Sequence, residues 1–156
     1  MRIHRCVHGF LVFGLLMVIL AMSTPPSLAQ EAKIGFSLRK IHVHVVNGLS
    51  GQQSLFLHCK SRDDDLGTHN LGVGDEYSWS FRVNFLATTL FWCYMRTSNG
   101  LHAEFDVFWP SKGDWLSYRC NWKNCIWTAK DDGIYLRNIP ENYDELLHKW
   151  ESVLIN

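Results

Sequence analysis

Three consecutive carboxylates, Asp63, Asp64 and Asp65, form the most suggestive polar cluster in this sequence of 156 residues. Calcium prefers several carboxylate oxygens. An EF-hand loop, however, places its acids at alternate positions and ends in a distant glutamate, and this segment does neither. A solvated loop, in which one aspartate bonds its own backbone, is the simpler interpretation. We therefore predict no metal site at these aspartates.

Histidines provide the second candidate chemistry. His42 and His44 project from one face of a predicted strand, roughly 6–7 Å apart, and could hold zinc only if a neighbouring strand supplied a third ligand. The exposed face of an edge strand is the simpler interpretation for both. His58 lies beside Cys59 in the sequence, and we expect it to pack there rather than to act as a base.

The motifs of the common hydrolases are absent from the sequence. It contains no G-x-S-x-G elbow, no H-E-x-x-H pair and no complete phosphate loop, since Gly72 and Gly74 lack the third glycine. We predict no catalytic residue and no cofactor. A secreted, ribonuclease-like hydrolase remains an alternative. It would need paired acid–base groups, often histidines, gathered in a cleft with an acid or a lysine.

The N-terminus has the pattern of a secretory signal peptide. Two arginines precede an apolar run from Phe10 to Met22, which is shorter than the roughly 18 residues that a membrane-spanning helix needs. A small-x-small site follows at Ser27 to Ala29, of the kind that signal peptidase cuts. We predict a cleaved signal peptide over residues 1–29 and a single exported domain over residues 30–156, without membrane insertion.

The charge of that domain excludes some partners. The whole sequence has 15 basic and 15 acidic residues, and loss of Arg2 and Arg5 with the signal peptide leaves a formal charge of −2. Domains that bind nucleic acid carry a basic patch, and anionic lipid attracts clusters of Lys and Arg. We therefore expect neither nucleic acid nor an anionic membrane surface as a partner.

The cysteines indicate disulfides. Cys6 leaves with the signal peptide, and an even number, four, remains in the exported domain. Four cysteines allow three pairings. We favour Cys59–Cys93 with Cys120–Cys125, because this pairing keeps each bridge within neighbouring predicted strands. A four-cysteine zinc site would need C-x2-C knuckles, which are absent.

Alternation of apolar and polar residues predicts an all-β domain. The apolar residues Tyr77, Trp79, Phe81 and Val83 share one face of one strand, and those from Leu101 to Trp109 share one face of another. Seven or eight antiparallel strands, separated by turns rich in Gly, Asn and Asp, are typical of a sandwich.

Three local features complete the prediction. Asn99-Gly100 predicts a hairpin with a type I′ turn. The segment from Trp115 to Trp122 is predicted to be a strand. The tail predicts a short amphipathic C-terminal helix, because apolar residues follow Pro140 at helical spacing. These residues are Tyr143, Leu146, Leu147, Trp150 and Leu154.

Six short motifs follow one another between Ile41 and Leu136. They are VHVVNGL (Val43–Leu49), HC (His58, Cys59), DDDLG (Asp63–Gly67), Y-x-W-x-F (Tyr77–Phe81), TTLFWC (Thr88–Cys93) and C-x4-C-x-W (Cys120–Trp127). Together, their order and spacing resemble the plant self-incompatibility family, the secreted S-protein homologues. The resemblance implies a small disulfide-bonded β-sandwich that acts outside the cell in signalling or recognition. It would be bound by a plasma-membrane receptor and would not act as a catalyst.

Loops carry recognition on such scaffolds, because the strands hold them rigidly while their sequence varies freely. We select two loops, Lys60–Asn70 and Pro110–Asp114. The candidate recognition residues are Arg62, Asp63, Asp64 and Asp65. A carbohydrate-binding module is the other alternative, and it would be favoured by an exposed planar row of the tryptophans Trp109, Trp115 and Trp122.

Overall fold

The computed structural model describes residues 39–84, 88–110 and 113–152. The predicted signal peptide lies outside these residues. The elements in chain order are β1 (Lys40–Asn47), β2 (Leu55–Ser61), β3 (Asp65–Leu71), β4 (Glu76–Arg82), β5 (Phe91–Thr97), β6 (His102–Phe108), α1 (Trp115–Arg119), β7 (Asn124–Lys130), β8 (Gly133–Asn138) and β9 (Tyr143–His148). Among the described residues, no helix has the length and apolar character needed to cross a membrane.

The described residues form nine strands in two sheets, which confirms the prediction of an all-β sandwich, although seven or eight strands were expected. One sheet has the order β4-β1-β7-β8-β9 and the other has the order β3-β2-β5-β6. Neighbouring strands are antiparallel except for β1 and β7, which pair in parallel with Val43 opposite Cys125. The first described strand therefore lies inside its sheet, between β4 and β7.

Period-two alternation produces the core between the sheets. In β1, Ile41, Val43 and Val45 are buried, while His42 and His44 lie on the outer face. The same alternation places Trp127 of β7 fully inside, where its Nε1–H donates to the carbonyl of Val107 at 3.0 Å. Because this bond satisfies the indole donor, the core can bury the largest side chain without an unpaired polar group.

Two disulfides are present, with the pairing that the sequence favours. Cys59 of β2 lies directly opposite Cys93 of β5, and the two half-cystines are bonded. Cys120, which caps the C-terminus of α1, is bonded to Cys125 of β7. The second bridge therefore joins a helix end to a strand, whereas the sequence argument expected two neighbouring strands.

The prediction of a strand from Trp115 to Trp122 is wrong. Residues Trp115–Arg119 form helix α1, and Asn121 and Trp122 follow with φ of 45° and 59°. Positive φ is incompatible with a β-strand. The Cys120–Cys125 bridge closes this short turn, and tertiary constraint here overrides the β-propensity of the aromatic residues.

The prediction of a helix in the tail is wrong over Tyr143–His148, which form strand β9. Asn142 turns the chain with φ of 59°, and β9 then pairs antiparallel with β8. Side chains support this placement, since Arg137 of β8 contacts Asp144 of β9 at 3.1 Å and Arg119 of α1 contacts Glu145 at 2.6 Å. An apolar spacing that fits a helix also fits an irregular edge strand, and the available sheet edge decides between them.

The hairpin predicted at Asn99-Gly100 is confirmed, but its turn type is wrong. A type I′ turn needs positive φ at both central residues, and only Gly100 has one, at 92°. The Thr97 N–H donates to the carbonyl of Leu101 at 2.9 Å, and the Gly100 N–H donates to the carbonyl of Thr97 at 3.0 Å. This is the arrangement of a three-residue loop with glycine at its last position.

Strand β3 is not anticipated by the sequence, which predicts only loops between β2 and β4. It is an edge strand of its sheet, and Leu71 is its one buried residue. A strand without a buried face has no alternation of apolar and polar residues, so its sequence does not predict it. Its presence turns the acidic segment into the connection of a tight hairpin.

Candidate recognition surface

The acidic segment lies at the tip of the β2–β3 hairpin, and Ser61 organises it. The Ser61 N–H donates to the carbonyl of Asp64 at 2.8 Å. The Ser61 hydroxyl oxygen accepts the N–H of Asp64 at 2.9 Å and that of Asp63 at 3.3 Å, and the hydroxyl donates to the Asp64 carboxylate at 3.2 Å. One serine thus closes the loop Arg62–Asp64, which we call the tip loop.

Asp65 is the first residue of β3, and its carboxylate is fully engaged in the hairpin. One oxygen accepts bonds from the Gly67 N–H at 2.9 Å and from His58 Nε2 at 2.7 Å, and the other lies 3.2 Å from Lys60 Nζ. The Gly67 N–H bond, followed by the bonds from His58 and Lys60, holds the pKa of Asp65 well below its usual range. Asp65 therefore stabilises the hairpin in its ionised form.

An irregularity in strand pairing makes that arrangement possible. Lys60 pairs with Asp65, but His58 pairs with Thr68. Between these two pairs, β3 therefore has one residue more than β2, in the stretch opposite Cys59. Gly67 lies in this stretch with φ of 77°, as expected for a bulge. The bulge brings the Asp65 carboxylate within reach of two side chains of β2, His58 and Lys60.

The four candidate recognition residues consequently differ in availability. All four are exposed. Asp65 is held by β2, and Asp64 is bonded to Ser61. Among the described residues, the side chains of Arg62 and Asp63 have no hydrogen-bond or ion-pair partner. The tip loop therefore presents one free guanidinium and one free carboxylate on a rigid backbone.

The histidines of β1 are half-buried on the outer face of a central strand, and not of the edge strand that the sequence argument expected. The His42 and His44 rings are stacked with centroids 6.4 Å apart, and His44 Nδ1 lies 2.6 Å from the Glu76 carboxylate. Burial, followed by the charges of Lys40 and Lys123, lowers the pKa of His42. Within the described ranges, no group of three or more His, Cys, Asp or Glu side chains is placed to hold a metal ion.

The three tryptophans considered for sugar binding do not form an open row. Trp109 and Trp115 stack on each other with centroids 6.1 Å apart and an interplanar angle of 18°. The Arg119 guanidinium covers the Trp115 ring at 3.8 Å, and Arg39 lies 5.7 Å from the Trp122 ring. The rings thus contact each other and arginine, where a sugar platform would need open neighbouring faces.

The Pro110–Asp114 turn is described only in part, because Ser111 and Lys112 lie outside the described residues. Asp114 precedes α1 with φ of 56°, and Gly113 before it has φ of 101°. The role of this turn in recognition stays a prediction.

The outer face of the four-stranded sheet has a feature that the sequence analysis did not single out. Its central strands carry three half-buried rings outward, Phe56 on β2 and Trp92 and Tyr94 on β5. Phe56 and Tyr94 meet edge to face with centroids 6.2 Å apart. The sequence signal was available, because the runs LFLHC and LFWCYM place large apolar residues at both alternating positions.

Comparisons with known proteins agree with this architecture. Residues 42–150 match the family model described as "Plant self-incompatibility protein S1". The chain is 52% identical over 109 residues to S-protein homolog 1 of Arabidopsis thaliana, with 70% of each chain covered. It is 35% identical over 135 residues to S-protein homolog 6 of the same plant, covering 86% of this chain and 94% of the relative.

A solved structure has the same fold. It is described as "Structure of SPH (Self-Incompatibility Protein Homologue) proteins, a widespread family of small, highly stable, secreted proteins from plants". Its TM-score with this chain is 0.56 at 22% identity, and the match covers 74% of this chain and 97% of that one.

Proposed function

Because this chain belongs to the plant self-incompatibility protein S1 family, we propose that it is an exported plant protein that works by being recognised. In this proposal a plasma-membrane receptor binds it outside the cell, and the protein performs no catalysis. The observation that carries the proposal is the tip loop, where Arg62 and Asp63 are exposed and unpaired on a backbone closed by Ser61. Free charges on a rigid loop suit recognition, because little conformational entropy is lost on binding.

Export is supported by several independent features. The apolar N-terminal run and the cleavage site at Ser27 to Ala29 have the form of a signal peptide. All four cysteines outside that peptide are paired, as expected in an oxidising compartment. The solved structure of similar fold is described as coming from secreted plant proteins.

The hairpin that carries the tip loop is well anchored, and this supports its role in recognition. The Cys59–Cys93 bridge ties β2 to the central strand β5. Asp65 ties the start of β3 back to His58 and Lys60. Changes in the tip loop itself should therefore alter binding without altering the fold, because exposed substitutions away from special features change stability by about 0.5 kcal/mol or less.

The test is binding of the fluorescently labelled mature domain to plasma-membrane vesicles from the plant tissue that expresses it. We expect saturable binding that unlabelled domain competes away. Arg62→Gln and Asp63→Asn should each weaken binding and reduce its dependence on salt, because interface charges at a rim act mainly by steering association.

Arg82→Gln is the matched control for Arg62→Gln. Arg82 is also exposed and lies at the end of β4 on the other sheet, so its loss changes the net charge equally. Normal binding by all three variants would refute the tip loop as the contact. Absence of any saturable binding by the unmodified domain would refute the receptor proposal itself.

A further inference from the structure

A strip on the outer face of the four-stranded sheet combines aromatic rings with carboxylates. Trp92 of β5 lies directly opposite Asp106 of β6, and Tyr94 lies directly opposite Glu104. Directly opposite residues have side chains close enough to interact. Each ring is therefore flanked by one carboxylate across the strand pair, and we call these four residues the β5–β6 strip.

The carboxylates of the strip are not neutralised by the protein. Glu104 and Asp106 are exposed, and neither has an ion-pair partner within the described residues. The other charged or titratable groups of this face are engaged, since Lys60 pairs with Asp65, Arg96 lies 5.6 Å from the Phe56 ring, and His102 Nε2 lies 3.7 Å from the Glu151 carboxylate. The strip is thus an acidic and aromatic band beside cations that are already engaged.

One further titratable group, His148, lies on the inner side of β6, against Phe105 and Trp127. The charge of Asp106 acts on His148, whose ring stacks on Phe105 with centroids 4.2 Å apart. Burial nevertheless lowers the pKa of His148 below its ordinary value, so the ring is neutral at pH 7. It does not supply a compensating charge for the strip.

The edge of β6 makes one isolated backbone bridge to the segment that follows β9. His102 and Glu151 form an antiparallel bridge, in which each N–H donates to the other's carbonyl at 2.9 and 2.8 Å. In an antiparallel ladder, backbone groups of alternate residues point to the same side. The backbone groups of Glu104 and Asp106 therefore point away from β5, as those of His102 do.

We propose that the β5–β6 strip binds an extended segment of another protein that carries Lys or Arg at alternate positions. Alternate residues of a strand lie on one face about 6.5–7 Å apart, which is also the separation of Glu104 and Asp106 along β6. Each basic side chain would meet a carboxylate and the face of an aromatic ring, which attracts cations. This contact is separate from the tip loop and does not depend on the receptor proposal.

The test uses a short synthetic peptide of alternating threonine and lysine, blocked at both ends, titrated into the folded domain at low salt. We expect saturable binding, with NMR shifts at the amides of Glu104 and Asp106 and at the indole of Trp92. The double variant Glu104→Gln/Asp106→Asn should bind about fivefold more weakly or worse, because two cross-strand charge pairs are lost.

Two controls separate specific docking from simple attraction of opposite charges. The double variant Asp132→Asn/Glu141→Gln removes two exposed acids that lie outside both the strip and the tip loop, and it should bind the peptide as the unmodified domain does. A peptide of the same composition with its lysines in one block should bind about threefold more weakly or worse, because only alternation matches the strand register. Equal weakening in both double variants, or equal affinity for both peptides, would overturn the proposal.

Discussion

The two disulfides should contribute unequally to stability, and the difference follows from the loops that they close. Cys59–Cys93 spans a sequence separation of 34 residues, whereas Cys120–Cys125 spans 5. In the chain-entropy model, a bridge stabilises the fold by restricting the unfolded chain, and the effect grows with the logarithm of loop length. The model gives about 4 kcal/mol for the longer loop and about 2 kcal/mol for the shorter one.

The comparison is between Cys59→Ala/Cys93→Ala and Cys120→Ala/Cys125→Ala. All four half-cystines are at most 1% exposed, so the local packing lost with the sulfur atoms is similar in the two variants. Alanine is preferred to serine, because a buried hydroxyl without a partner would add its own cost. Since natural domains are stable by about 5–15 kcal/mol, both variants are expected to fold at 25 °C.

Unfolding in urea at neutral pH without reductant measures both changes. The variant lacking Cys59–Cys93 should lose about 2 kcal/mol more than the other. Its denaturant dependence should also be steeper, because its unfolded chain exposes more surface. Equal losses, or a larger loss on removing Cys120–Cys125, would contradict the chain-entropy reasoning for this fold.

Three further predictions concern the buried Trp127, the half-buried His148 and the N-terminus of the exported protein. Trp127→Phe should cost about 1–3 kcal/mol in urea unfolding, because it leaves the buried carbonyl of Val107 without its donor; an unchanged midpoint would contradict this. The unfolding free energy should fall as pH drops below 6.5, because the unfolded chain takes up a proton that burial denies to folded His148. The plot of unfolding free energy against pH should be flatter for His148→Gln. Identical plots for the two proteins would exclude this residue as the cause. N-terminal sequencing of the exported protein should begin near Gln30, and a sequence beginning at Met1 would exclude cleavage.

The sequence is sufficient to predict the core strands, because a strand with one buried face has alternating apolar and polar residues. Ile41, Val43 and Val45 are examples, and β6 shows the same pattern. The helix prediction for the tail fails because the apolar residues there fit a helical spacing, while pairing with β8 and the contact of Arg119 with Glu145 favour a strand. Such long-range contacts have no local signal.

For the recognition surface, the sequence identifies the loop but not the roles within it. Asp63, Asp64 and Asp65 are identical in type, and only the bulge in β3 makes Asp65 a structural residue. That bulge depends on which residues of β2 lie opposite, so sequence alone could not distinguish the free carboxylate of Asp63 from the engaged one.

The position of β1 inside its sheet has a consequence for the order in which the chain can fold. All strands of the four-stranded sheet have been synthesised once Phe108 is made, and both cysteines of its disulfide precede that residue. Strand β1 can find its antiparallel neighbour β4 equally early, but its parallel neighbour β7 begins only at Asn124. A chain emerging from its N-terminus must therefore carry a half-paired β1, with one backbone edge unmatched, until β7 at Asn124–Lys130 has been made. The five-stranded sheet should accordingly be completed late and slowly, because its parallel pair joins segments that lie far apart in the sequence.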